Sequence, residues 1–98
     1  DVDVKRFISN QHEEKVPHMG WNTISDLRGG LFTPELEDKF VYFVHSYYVP
    51  LNADAAATAD YILPFSASLH KDNFYATQFH PEKSGSVGEL ILRNFINL

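Results

Sequence analysis

The 98-residue sequence has no cysteine, one methionine and one tryptophan. Without a thiol, these residues form no disulfide, give no thiolate to zinc and carry no thiol nucleophile of their own. Such usage is compatible with a cytoplasmic origin, where disulfides are rare. Long apolar runs are missing as well; none approaches the roughly 20 residues that a membrane-spanning helix needs. Positive charge is sparse, with Lys+Arg 8 against Asp+Glu 13 and a formal net charge of -5. No basic cluster is long enough to track a phosphate backbone, which argues against nucleic-acid binding. The opening Asp1-Val2-Asp3-Val4 has no initiator Met and no signal-like stretch, so the chain reads as a piece of something longer.

What is present is a hydrophobic share of 44% and an aromatic share of 14%, enough for one small domain with a modest core. Val2, Val4, Arg6 and Ile8 alternate with Asp3, Lys5, Phe7 and Ser9, the pattern of a half-buried strand with its β-branched residues on one face. Residues 10–15 are polar and turn-like, and His12 among them reads as solvated. Pro17 and Gly20 make residues 16–22 a stiff loop that presents Met19 and Trp21, with Trp21 either tucked into the core or, with Met19, on a contact surface. Thr33, Pro34 and Glu35 resemble a helix start, good for one or two turns.

Residues 40–49 give the strongest strand, apolar on both faces at first, with polar groups arriving at His45 and Ser46. Strand ends bearing polar groups are where α/β proteins place sites, although a hydrogen-bonded core histidine fits His45 equally. Residues 53–60 are alanine-rich, and propensity alone predicts helix. Residues 65–70 and 73–79 read as a hairpin around Lys71-Asp72, with His70 exposed beside the turn. A last helix is expected over residues 88–97, capped by Ser86 with Glu89, its stripe of Val87, Leu90, Ile91, Leu92, Phe95, Ile96 and Leu98 packing on a sheet.

The chemistry concentrates at Thr77-Gln78-Phe79-His80-Pro81-Glu82-Lys83-Ser84-Gly85. His80 and Glu82 would project to one side in extended geometry, as a general base and the acid that orients it. That is two-thirds of a nucleophilic triad with no nucleophile in view. No second ligand stands near enough in sequence to favour a metal.

Gln78-Phe79-His80-Pro81-Glu82-Lys83-Ser84 resembles the C-terminal signature of class I glutamine amidotransferases. Val16-Pro17-His18-Met19-Gly20-Trp21-Asn22 and Tyr42-Phe43-Val44-His45-Ser46-Tyr47 narrow the likeness to the glutaminase subunits of imidazole glycerol phosphate synthases, over residues 4–98. The resemblance implies a three-layer, flavodoxin-like α/β parent of which this chain is the β-rich C-terminal half with one helix. It implies that a Cys on a nucleophile elbow attacks glutamine, that His80 relays the proton and that Glu82 orients His80. It implies that His45, Ser46 and Tyr47 meet the amino-acid end of glutamine, and that no cofactor takes part. It also implies that Met19, Trp21, Asn22, Tyr42 and Lys83 face a cyclase (β/α)8-barrel partner, to which ammonia passes for histidine biosynthesis. His18 gains no role from it and reads as a core or hydrogen-bonding histidine. Under the resemblance, residues 57–62 should be extended rather than helical.

The sequence departs from the family at one point: the expected Cys is absent, so residues 1–98 alone should be inactive. They should also self-associate or be marginally stable through exposed apolar surface. A non-enzymatic docking module, or the amidotransferase part of another pathway, such as anthranilate or pyridoxal phosphate synthesis, are the alternative readings.

Overall fold

The computed structural model describes residues 4–8 and 18–98. Val2, His12, Val16 and Pro17 lie outside the described residues. Among the described residues seven strands follow in order: β1 (Lys5–Arg6), β2 (His18–Thr23), β3 (Phe40–His45), β4 (Tyr47–Tyr48), β5 (Ala55–Tyr61), β6 (Leu63–Lys71) and β7 (Phe74–Thr77). Short 3-10 turns occupy Pro34–Leu36 and Pro81–Lys83, and one helix, α1 (Gly85–Ile96), closes the chain. All pairing is antiparallel, in three small sheets of order β1-β4, β2-β3 and β5-β6-β7. Isolated bridges Ser25↔Thr58 and Val49↔Ser66 tie the smaller sheets to the largest. No described helix is long and apolar enough to cross a membrane.

The core gathers where the three sheets meet. Phe7, Phe43 and Phe65 are fully buried, with Phe65 edge-on to the other two at 5.6 and 5.7 Å. Such edge-to-face pairs add to the area that each ring removes from water. β6 runs through the middle, and its residues Phe65, Ser66, Ala67 and Ser68 are buried consecutively. The two serines are tolerated there because Ser66 Oγ donates to the Pro50 carbonyl and Ser68 Oγ to that of Ala76. β5 lies against β6 with Ala56, Ala57 and Ala59 buried. The resemblance-based expectation of extended structure there holds, and helix propensity loses to the small side chains' fit beneath the core.

Several local expectations change. Residues 18–23 are strand, not loop, because β3 supplies a complete antiparallel partner from His18↔His45 to Thr23↔Phe40. In β1 the β-branched face is the outer one: Val4 and Ile8 are exposed while Phe7 enters the core. Residues 40–49 divide at Ser46 into β3 and β4. His70 is half-buried and stacks on Tyr75 with ring centroids 4.1 Å apart. α1 starts at Gly85, so Ser86 lies inside it and caps nothing; its preceding Ser84 makes no side-chain cap bond either. Of the expected apolar stripe only Ile91 is buried, and Leu92, Phe95, Ile96 and Leu98 are exposed.

Candidate active site

β7 delivers the chain to Phe79, which is buried, and the next residue turns outward. The His80 N–H donates to the Tyr42 carbonyl at 2.9 Å, fixing the segment to β3. Pro81 has the φ a helical first position needs, and the 3-10 turn Pro81–Lys83 follows. The turn, not an extended strand, brings Glu82 back to His80, with Nδ1 2.9 Å from Oε2. The buried Ser84 hydroxyl locks this turn. It donates to the His80 carbonyl at 2.6 Å and accepts the Tyr42 N–H at 2.9 Å. Gly88 must lack a side chain because a Cβ there would stand 1.9 Å from the Pro81 carbonyl oxygen.

The Glu82 carboxyl is held below its ordinary range, first by its own backbone N–H and then by the His80 imidazole. An ionised Glu82 accepts from His80 Nδ1–H, which leaves the lone pair of a neutral ring on Nε2. No hydrogen bond to Nε2 occurs among the described residues. The arrangement is that of a general base with its orienting carboxylate.

His45 ends β3 and is buried. Its Nδ1 lies 2.8 Å from the Tyr47 carbonyl, and its Nε2 lies 2.8 Å from Nδ1 of His18. Burial lowers the His45 pKa most; the Tyr47 carbonyl raises it and His80 lowers it again. The Ser46 carbonyl accepts the Phe7 N–H at 2.9 Å, and Tyr47 is exposed. His18 is 3% exposed, stacked between Phe43 at 4.7 Å and Tyr61 at 3.9 Å. Its pKa falls to about 4, through burial and then His45. The expectation of a core, hydrogen-bonding His18 holds; its partner is not legible in the sequence, because it lies 27 positions away and only the β2–β3 register joins them.

Met19 and Trp21 point to the outer face of β2, both more than half exposed, and Trp21 stands opposite Tyr42 with ring centroids 5.7 Å apart. The Trp21 ring reaches the start of α1, next to the turn that carries the exposed Lys83. Trp21 and Tyr42 thus stand beside the turn that begins at His80, with Met19 on the same face of β2. Asn22 does not join them; its amide donates to the Asp60 carbonyl and its carbonyl accepts the Thr23 N–H.

The glutamine amidotransferase class-I profile matches residues 4–98. Imidazole glycerol phosphate synthase subunit HisH of Bacteroides fragilis is 68% identical over the whole chain, and that of Bacteroides thetaiotaomicron 66%. The archaeal subunit from Methanothermobacter thermautotrophicus is 47% identical, again over the whole chain. The chain spans 50% of the length of each of these three relatives. A crystal structure from Thermoplasma acidophilum, of a protein provisionally assigned to GMP synthase, superposes with a TM-score of 0.71 at 25% identity. That match covers 98% of this chain and 47% of the other. The profile match, the relatives and the His80–Glu82 geometry agree: the chain belongs to the class I glutamine amidotransferase family.

Proposed function

We propose that this chain is the base-bearing, C-terminal part of a glutaminase that feeds ammonia to a cyclase in histidine biosynthesis. The observation that carries the reading is the 2.9 Å contact between His80 Nδ1 and Glu82 Oε2 at the end of a strand. A thiol supplied by residues outside this sequence would give its proton to His80 Nε2, and the thiolate would attack the side-chain carbonyl carbon of glutamine. Collapse of the tetrahedral adduct expels ammonia, to which His80 returns the proton. Water, deprotonated by the same imidazole, then cleaves the thioester to glutamate. Glu82 keeps the ring oriented and stabilises its charged form at each transfer. The His45–Ser46–Tyr47 corner would receive the amino-acid end of glutamine.

The partner would be a (β/α)8-barrel cyclase, received on the face of Met19, Trp21, Tyr42 and Lys83. The relatives are named as subunits of a synthase, which supports a protein partner. An exposed Met and Trp beside the base suit such an interface. A cytoplasmic location follows from this biosynthetic role. Residues 1–98 alone would be inactive and would self-associate through exposed apolar surface; a compact monomer in size-exclusion chromatography with light scattering would count against the latter.

In the complete protein, His80→Ala should abolish glutamine hydrolysis and leave barrel binding intact. Near-normal turnover would sink the catalytic assignment and leave the docking module as the reading. Trp21→Ala combined with Tyr42→Ala should weaken binding of the barrel; unchanged affinity would remove both from the interface.

A further inference from the structure

Three polar groups form a directional chain inside the aromatic core. The Tyr47 carbonyl can only accept, so Nδ1 of His45 carries a proton. A neutral His45 then presents a bare Nε2, and His18 Nδ1, 2.8 Å away, must donate to it. The reverse arrangement would place a charged His45 among Phe7, Phe43 and Phe65. The lowered pKa values of both rings agree with the neutral form.

Packing alone does not explain an imidazole at position 18. The ring lies between Phe43 and Tyr61, tilted 18° and 7° from them, where a phenyl group would stack equally well and cost no desolvation. What a phenyl group lacks is the donor to His45. That donor ends on a corner held from its other side by β1, through the Phe7 N–H on the Ser46 carbonyl and the pairing of Arg6 with Tyr47.

We propose that His18 is a positioning residue: its Nδ1–H fixes the tautomer of His45, His45 fixes the Tyr47 carbonyl, and the Ser46–Tyr47 corner thereby keeps the backbone geometry that meets the amino-acid end of glutamine. The last step rests on the glutaminase reading; the hydrogen-bond chain itself does not. Removing the donor leaves His45 Nε2 buried without a partner and lets the ring turn away from Tyr47.

The test uses the complete protein with His18→Phe, which keeps the stack, and His18→Asn, whose amide restores a donor near the Nδ1 position. In the unsubstituted protein, long-range 15N–1H spectra should show both rings as the Nδ1–H tautomer at neutral pH. His18→Phe should shift the Tyr47 and Tyr48 amide resonances and raise KM for glutamine about tenfold, the size expected from one lost buried hydrogen bond. Its kcat should change much less, and His18→Asn should recover most of the loss. An Nε2–H tautomer on either ring, unmoved Tyr47 and Tyr48 amides in His18→Phe, an unchanged KM, or an Asn variant no better than Phe would each overturn the proposal. If His18→Phe does not fold, the wild-type tautomers and His18→Asn still decide it. If the unsubstituted protein does not hydrolyse glutamine, the glutaminase reading fails alone, and the tautomers and corner amides still decide the positioning claim.

Discussion

Two pairs built on an imidazole, His80 with Glu82 and His18 with His45, do opposite things with the same ring. His80 sits on a turn beside a carboxylate, with side chains 39% and 61% exposed. His18 and His45 sit in the core, 3% and 8% exposed, hydrogen-bonded to each other and flanked by phenyl and phenol rings. Water and the Glu82 carboxylate both reach His80, the setting a general base requires. Burial keeps His18 and His45 neutral and leaves them as donors of fixed direction. Function here follows from the neighbours of an imidazole rather than from its presence.

The largest expected effect breaks the exposed pair through its support. Gly88→Ala would put a methyl group 1.9 Å from the Pro81 carbonyl oxygen and 2.9 Å from the Ser84 Cβ. The turn must shift, at a cost of about 3 kcal/mol or more by the measure of overpacked cores. Urea unfolding should show the loss, and His80 ring signals should move while those of His18 and His45 stay. Equal movement of both pairs would mean that they are not independent.

Acid should break the buried pair first. Between pH 6.5 and about 4 an unfolded His18 binds a proton that the folded one refuses. The unfolded state therefore takes up more protons, and stability falls as pH falls through that window. For His18 the loss reaches up to about 3 kcal/mol at its lower end. The contribution is whole above pH 6.5. The Glu82 carboxyl, itself lowered, loses its partner only further into acid. His18→Phe should flatten the upper window in urea midpoints measured against pH; an unchanged slope would assign it to other groups.

The two pairs also differ in how well the sequence announces them. His80 and Glu82 are two residues apart, with Pro81 starting the turn between them, so a local motif contains the whole geometry. His18 and His45 meet only through strand register, which the sequence does not display when the strand itself reads as a loop. The same limit explains β1. Alternation separates Phe7 from Val4 and Ile8 but does not say which set faces the core; the larger ring wins the buried place. In α1 the period is legible and its cover is not: a stripe defines a face, and Leu92 and Phe95 remain exposed on it. In β5 composition misleads, because its alanines are chosen by what lies above them in the sheet.

A smaller effect sharpens the link between the pair and its support. Ser84→Ala removes one donor to the His80 carbonyl and one acceptor for the Tyr42 N–H. Both main-chain groups belong to the joint between β3 and the turn, and the hydroxyl that serves them is buried. The His80 carbonyl keeps the Lys83 N–H, so the Tyr42 N–H is the group left unpaired, at a cost of about 2 kcal/mol. Amide hydrogen exchange should accelerate at Tyr42 and at the start of α1, while His18 and His45 keep their tautomers. Unchanged protection at Tyr42 would show that Ser84 does not hold the joint.

Glu82→Gln should change stability least of all, because an exposed ion pair contributes little to folding. Its side-chain carbonyl can still accept from His80 Nδ1–H across the same short reach. What disappears is the negative charge that would stabilise a protonated imidazole. In the complete protein, glutamine turnover should therefore fall while the urea midpoint stays. Steady-state glutaminase assays and urea unfolding of the same preparation read the two effects separately. A variant with normal turnover would show that Glu82 does not support His80. The exposed pair would then differ from the buried one in solvent alone.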